Sequence, residues 1–236
     1  MELLINGAQA LLGLELTREQ VAAFQTYAAE LRTWNARFNL TALTDDAGIQ
    51  LKHFLDSLSL LPLLPDHAGQ LIDVGTGAGF PGLPLKIMRP NLQVTLVEAT
   101  GKKVTFCQAV AAQLGLTSVT VVNARAEEVG QDPAHRERYD WAMARAVAAL
   151  PVLAEYLLPL VKIGGQAIAQ KGASAPEEVE AAAPAVTKLG GAPAQLHPVA
   201  LPGLAEARYL VVYPKAAATP KAYPRRVGMP AKTPLK

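Results

Sequence analysis

A glycine-dense loop constrains the fold of this chain more than any other segment. Residues 73–82 read Asp-Val-Gly-Thr-Gly-Ala-Gly-Phe-Pro-Gly. The loop lies between the apolar run Gln70–Val74, which is typical of a buried parallel strand, and a helical pattern over Leu83–Met88. Glycines in that context let a ligand approach the main chain, and the helix that follows offers unpaired N–H groups. The segment therefore predicts an α/β fold that binds a cofactor.

Two glycine patterns fit this loop. Gly77, Gly79 and Gly82 match the G-x-G-x-x-G pattern of dinucleotide-binding folds, whereas Gly75, Gly77 and Gly79 match G-x-G-x-G. The second pattern is favoured because the first places Pro81, which has no N–H group, at the turn that must bind a pyrophosphate. The loop therefore favours a nucleoside cofactor without a pyrophosphate. An oxidoreductase that uses a nicotinamide or flavin dinucleotide is the alternative.

Alternating strand and helix patterns continue beyond the loop. The predicted strands are 70–74, 93–97, 119–122, 139–144, 166–170, 195–199 and 208–213. The predicted helices are one capped by Thr17 and broken by Asn39-Leu40-Thr41, then 47–64, 83–88, 102–114, 151–161 (ended by Gly164-Gly165) and 176–189. Such alternation favours a parallel sheet covered on both faces. The connection 200–207 is too short for a crossover helix, so the last two strands are predicted to form an antiparallel hairpin.

Polar residues follow the predicted strands at the edge where ligands bind in such sheets. Glu98 follows the second strand, about 20 residues after the first glycine, where a carboxylate can accept both hydroxyls of a ribose. Residues 123–128 follow the third strand and are small or polar, which suits an adenine slot. Arg145 follows the fourth strand, where a role in the site is favoured over a simple ion pair.

Composition excludes several classes of protein. The single cysteine, Cys107, excludes an intramolecular disulfide and a cysteine-rich zinc site, and its place on the inward face of a helix favours packing. The four histidines show no metal-ligand spacing. No apolar run approaches the ~20 residues of a membrane span, and Met1–Leu16 lacks the features of a secretory signal. We therefore expect a cytoplasmic protein that binds no metal and no membrane. We also expect a monomer, because no apolar helix face is left unassigned.

The carboxyl-terminal end is strongly basic, although the net charge of the chain is only +2. No Asp or Glu follows Glu206, whereas seven Arg or Lys residues do. Such an end favours an anionic partner. A solvated, disordered tail is the alternative.

In their order along the chain, these motifs resemble the class I S-adenosylmethionine-dependent methyltransferases. They are most similar to one family, the small-subunit ribosomal RNA guanine-N7 methyltransferases (RsmG or GidB). The matching segments are Trp34-Asn35, Asn39-Leu40-Thr41, His53-Phe54-Leu55-Asp56-Ser57, Asp73–Gly82, Glu98–Lys103, Ala124–Glu128, Ala144-Arg145-Ala146, Lys171-Gly172 and Tyr223–Leu235. Each motif is weak by itself, but the ordered set covers nearly the whole chain.

The resemblance implies a class I, Rossmann-like parallel sheet with a terminal antiparallel hairpin and additional N-terminal helices. The expected parts are an N-terminal helical extension (1–66), an S-adenosylmethionine-binding methyltransferase domain (67–214) and a basic tail (215–236). The resemblance also implies the substrate, the guanine at nucleotide 527 in the 530 loop of 16S rRNA, free or in the 30S subunit. The implied S-adenosyl-L-methionine contacts are Gly75, Phe80, Glu98, Ala99, Thr100, Ala126, Glu127 and Arg145.

The chemistry of guanine-N7 methylation fits what the sequence lacks. N7 carries a free lone pair in the neutral base, so the enzyme needs positioning rather than a general base or a nucleophile. No catalytic residue is therefore predicted, although Arg145 is a possible one. Because the methylated purine is cationic, we expect Arg145 to serve the cofactor carboxylate or an RNA phosphate. A non-catalytic RNA-binding module with a vestigial cofactor fold is a further alternative, and the Gly75/Glu98 pair argues against it.

Three regions are predicted to contact RNA. Two of them contribute Lys171, at the end of the fifth strand, and the tail residues Arg225, Arg226 and Lys232. The third contains Arg32, Trp34, Arg37 and Phe38, which mix charge with aromatic rings. For Trp34 and Phe38, packing in the interior is the favoured alternative, and for Lys171 the two interpretations are evenly balanced.

Overall fold

The computed structural model describes all 236 residues. Its strands are β1 (Gln70–Val74), β2 (Gln93–Val97), β3 (Val119–Val122), β4 (Tyr139–Arg145), β5 (Val161–Lys171), β6 (Gln195–Val199) and β7 (Arg208–Pro214). Its α-helices are α1 (Glu2–Leu12), α2 (Arg18–Phe38), α3 (Asp56–Leu58), α4 (Gly82–Met88), α5 (Gly101–Gln113), α6 (Ala126–Gln131), α7 (Leu150–Leu157), α8 (Ala175–Lys188) and α9 (Met229–Lys232). A π-helical segment spans Gly48–Leu55, and 3₁₀ turns span Leu61–Leu63 and Leu158–Leu160.

The seven strands form one sheet in the order β3-β2-β1-β4-β5-β7-β6. The pairs β1–β4, β2–β3 and β4–β5 are parallel, and β7 runs antiparallel to both β5 and β6. The predicted α/β class and the terminal antiparallel hairpin are therefore confirmed.

Two compact units make up the chain, and their segments alternate along the sequence. The first unit contains Met1–Ala68, Thr76–Asn123 and Ala200–Ala205, and the second contains Gly69–Gly75, Ala124–Val199 and Glu206–Lys236. The three-part division at residues 66 and 214 stays a prediction.

In the first unit, the N-terminal helices pack around aromatic side chains. Helix α2 begins at Thr17, whose hydroxyl accepts the Gln20 N–H while the Gln20 side chain accepts the Thr17 N–H. Asn39 ends the helix in the left-handed conformation at φ 49°. Its inner face buries Phe24 and Tyr27, whose rings lie 4.9 and 5.3 Å from the ring of Phe54. These predicted ends of α2 are confirmed.

The prediction of one continuous helix over 47–64 is wrong. The π-helical segment Gly48–Leu55, the single α-turn Asp56–Leu58 and a 3₁₀ turn replace it. Apolar spacing alone does not separate these helix types, because all of them bring residues three to five apart onto one face.

The predicted helix end at Gly164-Gly165 is also wrong, because both glycines lie inside β5. The pairing of β4 with β5 shifts register there, since Tyr139 lies opposite Val161 whereas Trp141 lies opposite Gln166. A Cβ on Gly165 would lie 2.6 Å from the carbonyl oxygen of Asp140. The glycines therefore permit β4 and β5 to approach closely where their register shifts. Helix α6 was not predicted, because its six residues are too few for a periodic pattern.

In the second unit, the basic tail is packed rather than solvated. Arg136 donates hydrogen bonds to the carbonyl oxygens of Thr219, Pro220 and Tyr223. The Lys215 side chain is fully buried, with its ammonium 2.6 Å from the Leu158 carbonyl oxygen and 3.3 Å from the Glu137 carboxylate. The alternative of a solvated, disordered tail is therefore wrong for this segment.

Burial lowers the pKa of Lys215 to about 8, and the nearby Glu137 carboxylate only partly opposes the shift. Between pH 8 and the unfolded value of about 10.4, the unfolded chain holds this proton more tightly than the folded one. The free energy of unfolding is therefore expected to rise with pH across that window, by up to about 3 kcal/mol from this group, and to level off above it. Urea unfolding at pH 8, 9 and 10 measures the difference in the free energy of unfolding between the wild type and Lys215→Met. The contributions of other titrating groups cancel in this difference. Parallel stability curves would contradict the assignment.

Candidate cofactor site and nucleic-acid contacts

The backbone of the glycine loop follows the G-x-G-x-G pattern. Gly75, Gly77 and Gly79 have φ values of 68°, 61° and 90°, in the region that side chains with a Cβ rarely adopt. Gly82, in contrast, is the first residue of α4, and Pro81 directly precedes it. The loop conformation therefore favours the nucleoside pattern over the dinucleotide one.

Glu98 lies at the end of β2 with its carboxylate held by the main chain. One carboxylate oxygen accepts the Gly77 N–H at 3.0 Å and the other accepts the Thr100 N–H at 2.8 Å. The Asn123 amide donates to the Glu98 carbonyl oxygen at 2.9 Å. Glu98 is only 8% exposed, whereas Ala99 and Thr100 beside it are exposed. This carboxylate is fixed in direction before any ligand binds.

The space beside this carboxylate fits a ribose. A Cβ built on Gly77 would meet no atom within 4 Å, so the main chain there borders open space. Each carboxylate oxygen of Glu98 uses one lone pair for a main-chain N–H and retains another for a hydroxyl donor. The donor set and the bare main chain therefore fit the ribose of S-adenosylmethionine.

Three stacked rings hold the next part of the loop. The ring of Phe80 lies between those of Tyr27 (5.3 Å, 12°) and His53 (4.4 Å, 10°). The Tyr27 hydroxyl donates to the Ala78 carbonyl oxygen at 2.5 Å, and the His53 ring lies 2.8 Å from the Thr41 hydroxyl. The Phe80 side chain is thus an internal packing element. The contact of Phe80 with the cofactor stays a prediction.

Sequence reasoning missed this support of the loop. Neither Tyr27 nor His53 is among the predicted site residues, and His53 appears only within a motif of the family resemblance. The one sequence signal for their role was the spacing that places both on helices preceding the glycine loop, and it does not identify the partners.

In the second unit, Gly75 and Arg145 lie at the carboxyl ends of β1 and β4. A Cβ on Gly75 would lie 2.7 Å from a methyl group of Val147, so only glycine fits there. Val147 is 38% exposed although apolar, and sequence reasoning missed it. Ala146, which lies between Arg145 and Val147 in the chain, has a φ of 54°. This conformation costs a non-glycine residue roughly 1–2 kcal/mol. Strain of this kind concentrates at functional sites.

Ala126 and Glu127 form the first turn of α6. The Glu127 carboxylate is buried and accepts the Gly228 N–H from the tail at 2.9 Å. Burial and, secondarily, the Glu127 charge raise the pKa of Tyr156 to about 12. The side chain of Glu127 therefore holds the tail, and its contact with the cofactor stays a prediction.

Of the four predicted RNA-contacting residues that lie outside the N-terminal helices, Lys171 and Arg225 have internal partners. Lys171 forms an ion pair with Glu178 at 2.8 Å and donates to the Ala148 carbonyl oxygen. Arg225 forms an ion pair with the fully buried Glu155. Both charges are therefore neutralised within the protein, and the contact of these two cations with phosphates stays a prediction.

Arg226 and Lys232, by contrast, are exposed, and their side chains have no hydrogen-bond or ion-pair partner.

Cys107 is buried as predicted, with its thiol 3.5 Å from the Gly77 carbonyl oxygen. The structure contains no group of three or more His, Cys, Asp or Glu residues arranged to hold a metal ion. None of its helices has the length and apolar character that a membrane span requires.

Solved structures identify the class of fold. An S-adenosylmethionine-dependent O-methyltransferase from Thermotoga maritima matches with a TM-score of 0.53 at 14% identity, over 70% of this chain and 66% of that one. The 16S rRNA (adenine(1408)-N(1))-methyltransferase from Catenulisporales acidiphilia matches with a TM-score of 0.52 at 18% identity, over 65% and 90%. The chain has the fold of the class I methyltransferases, whose cofactor is S-adenosylmethionine.

Sequence comparison identifies the family. The family model described as "GidB: rRNA small subunit methyltransferase G" matches residues 20–203. Proteins named ribosomal RNA small subunit methyltransferase G are 52% identical in Roseiflexus sp. (strain RS-1) and 47% identical in Dehalococcoides mccartyi (strain BAV1), each over the full length of both chains. This chain belongs to the ribosomal RNA small subunit methyltransferase G family, which confirms the family expected from its motifs.

Proposed function

We propose that this protein transfers the methyl group of S-adenosyl-L-methionine to N7 of guanine 527 in the 530 loop of 16S rRNA. Family membership over the whole chain supports the substrate. The observation that carries the cofactor assignment is the Glu98 carboxylate, which two main-chain N–H groups fix beside the open space at Gly77.

The proposed cofactor contacts divide between side chains and main chain. Glu98 accepts the ribose hydroxyls, whereas Phe80 contributes a main-chain group because its ring is stacked on those of Tyr27 and His53. The full proposed set is Gly75, Phe80, Glu98, Ala99, Thr100, Ala126, Glu127 and Arg145.

The bound cofactor supplies an electrophilic methyl group on a sulfonium sulfur. Guanine N7 has a free lone pair, so the residues of this chain act by positioning and remove no proton. The methylated purine is cationic, so Arg145 serves the cofactor carboxylate or an RNA phosphate rather than the base. In this proposal no side chain acts as nucleophile.

The proposed partner is 16S rRNA or the 30S subunit in the cytoplasm, bound by a monomer with an N-terminal helical extension, a catalytic domain and a basic tail. Among the predicted phosphate contacts, Arg226 and Lys232 are favoured because their charges have no internal partner.

Transfer of a tritiated methyl group to 30S subunits and to naked 16S rRNA that lack the modification tests this function. We expect one labelled product, 7-methylguanosine, with alkali-sensitive cleavage mapping it to nucleotide 527. Titration calorimetry with S-adenosylhomocysteine and with NAD is the accompanying measurement, and only the former is expected to bind. Label at another nucleotide, or cofactor binding without transfer to either substrate, would contradict the proposal.

A further inference from the structure

A pocket lies between the carboxyl-terminal end of α2 and the first turns of α5. We call it the α2–α5 pocket. Its volume is about 430 Å³, within the range of roughly 300–1,000 Å³ that is typical of small-ligand sites. It is lined by Thr33, Trp34, Arg37, Phe38, Lys102 and Thr105. None of these residues belongs to the proposed cofactor contacts.

The aromatic wall of the α2–α5 pocket is preorganised. Trp34 packs edge-on against the fully buried ring of Phe106, with centroids 5.7 Å apart and planes at 66°. Phe38 lies one helical turn further, 5.6 Å from Trp34, and is 37% exposed. Phe38 is the last residue of α2, and Asn39 follows it in the left-handed conformation. The pair thus presents an apolar surface to solvent.

The polar rim of this pocket is cationic and unpaired. Arg37 and Lys102 are exposed and have no hydrogen-bond or ion-pair partner, whereas Arg32 on the same helix pairs with Asp46. No Asp or Glu lines the pocket. Two unneutralised cations beside an aromatic wall complement a ligand that has both a flat π-system and a negative charge.

We propose that the α2–α5 pocket binds one unpaired nucleotide of the RNA substrate, with its base against Trp34 and Phe38 and its phosphate between Arg37 and Lys102. Single-stranded nucleic acids are bound in this way, because every base has a π-face and every linkage carries a charge. The choice of RNA as the partner rests on the proposed function. Lys102 follows Glu98 closely in the chain, so the pocket lies on the helix that begins beside the ribose-binding carboxylate. A nucleotide held there anchors the RNA strand on the helix that follows the ribose-binding carboxylate.

Fluorescence anisotropy tests this with the full-length protein, saturating S-adenosylhomocysteine and a short single-stranded oligoribonucleotide with the 530-loop sequence. Phe38→Ala is expected to weaken binding about tenfold, as for the loss of one base–aromatic stack. Arg37→Ala and Lys102→Ala are each expected to weaken binding and to lower the slope of log affinity against log salt, and the double variant should lower that slope by about 0.7, the value for one phosphate of a single strand. An abasic analogue separates the two contacts, because it should remain sensitive to the cation variants but not to Phe38→Ala.

Arg18→Ala is the matched control, since Arg18 is an exposed, unpartnered cation at the other end of α2. It should leave the RNA affinity within about twofold, and no variant should change S-adenosylhomocysteine binding. An equal loss in Arg18→Ala, or unchanged affinity in Phe38→Ala, would overturn the proposal. Variants that bind the oligonucleotide normally but lose 30S subunits would also overturn it and indicate a ribosomal protein as the partner. Because the assay measures binding, it stands even if no methyl transfer to nucleotide 527 is found.

Discussion

Replacement of Glu98 by alanine is expected to weaken S-adenosylhomocysteine binding by about 100-fold or more. Hydrogen bonds to a charged group contribute about 1.5–3 kcal/mol each, and the proposal gives this carboxylate two ribose hydroxyls. A total of about 3 kcal/mol or more corresponds to at least a 100-fold change in the dissociation constant. The loss also leaves the N–H groups of Gly77 and Thr100 without their acceptor, which loosens the glycine loop.

Titration calorimetry with S-adenosylhomocysteine measures this loss. Glu98→Gln keeps the shape and one acceptor oxygen but places an amide NH₂ against a main-chain N–H, so its affinity should fall between those of Glu98→Ala and the wild type. Glu177→Gln, an exposed acid in the first turn of α8, is the control for a change of net charge and should bind normally. Near-normal affinity in a folded Glu98→Ala protein would place the ribose elsewhere.

The parts of the fold that sequence predicted well are those that local pattern determines. The boundaries of β1, β2, β3 and β6 agree with the predicted strands, because each is a short apolar or alternating run between turn residues. The position of Glu98 was predictable for the same reason, since a strand end at the carboxyl edge fixes where the next side chain lies. The glycine loop was predictable from the spacing of its glycines alone.

Side-chain pairing between distant segments could not be predicted in this way. The sequence shows that Lys171 and Arg225 are basic but not that Glu178 and Glu155 lie opposite them. Likewise, the sequence of the tail leaves a solvated, disordered segment open as an alternative, whereas hydrogen bonds from Arg136 to its main-chain carbonyl groups hold it in place. These contacts depend on the tertiary structure. The sequence therefore shows which residues are charged but not which residues lie opposite them.

The largest expected effect on stability is that of Arg225→Ala, which should lower the melting temperature by about 10 °C. The Glu155 carboxylate is fully buried and accepts hydrogen bonds from the Arg225 main-chain N–H, Nε and Nη2 at 2.7–3.2 Å. These bonds raise the pKa of Arg225 above its ordinary value. Removal of one partner leaves a buried, uncompensated charge, which costs about 3–5 kcal/mol of stability. In a chain of this size, each kcal/mol lowers the melting temperature by roughly 2–4 °C.

Differential scanning calorimetry of Arg225→Ala and Arg226→Ala makes the comparison sharp, because the two arginines are adjacent and carry the same charge. Arg226 is exposed and unpartnered, so its replacement should change stability by no more than about 0.5 kcal/mol. Adding Glu155→Leu to Arg225→Ala should recover part of the lost stability, since the unpaired carboxylate is then gone. Equal melting temperatures for the two arginine variants would mean that the ion pair does not hold the tail. In that case the Arg225 charge would be available for its predicted contact with phosphate.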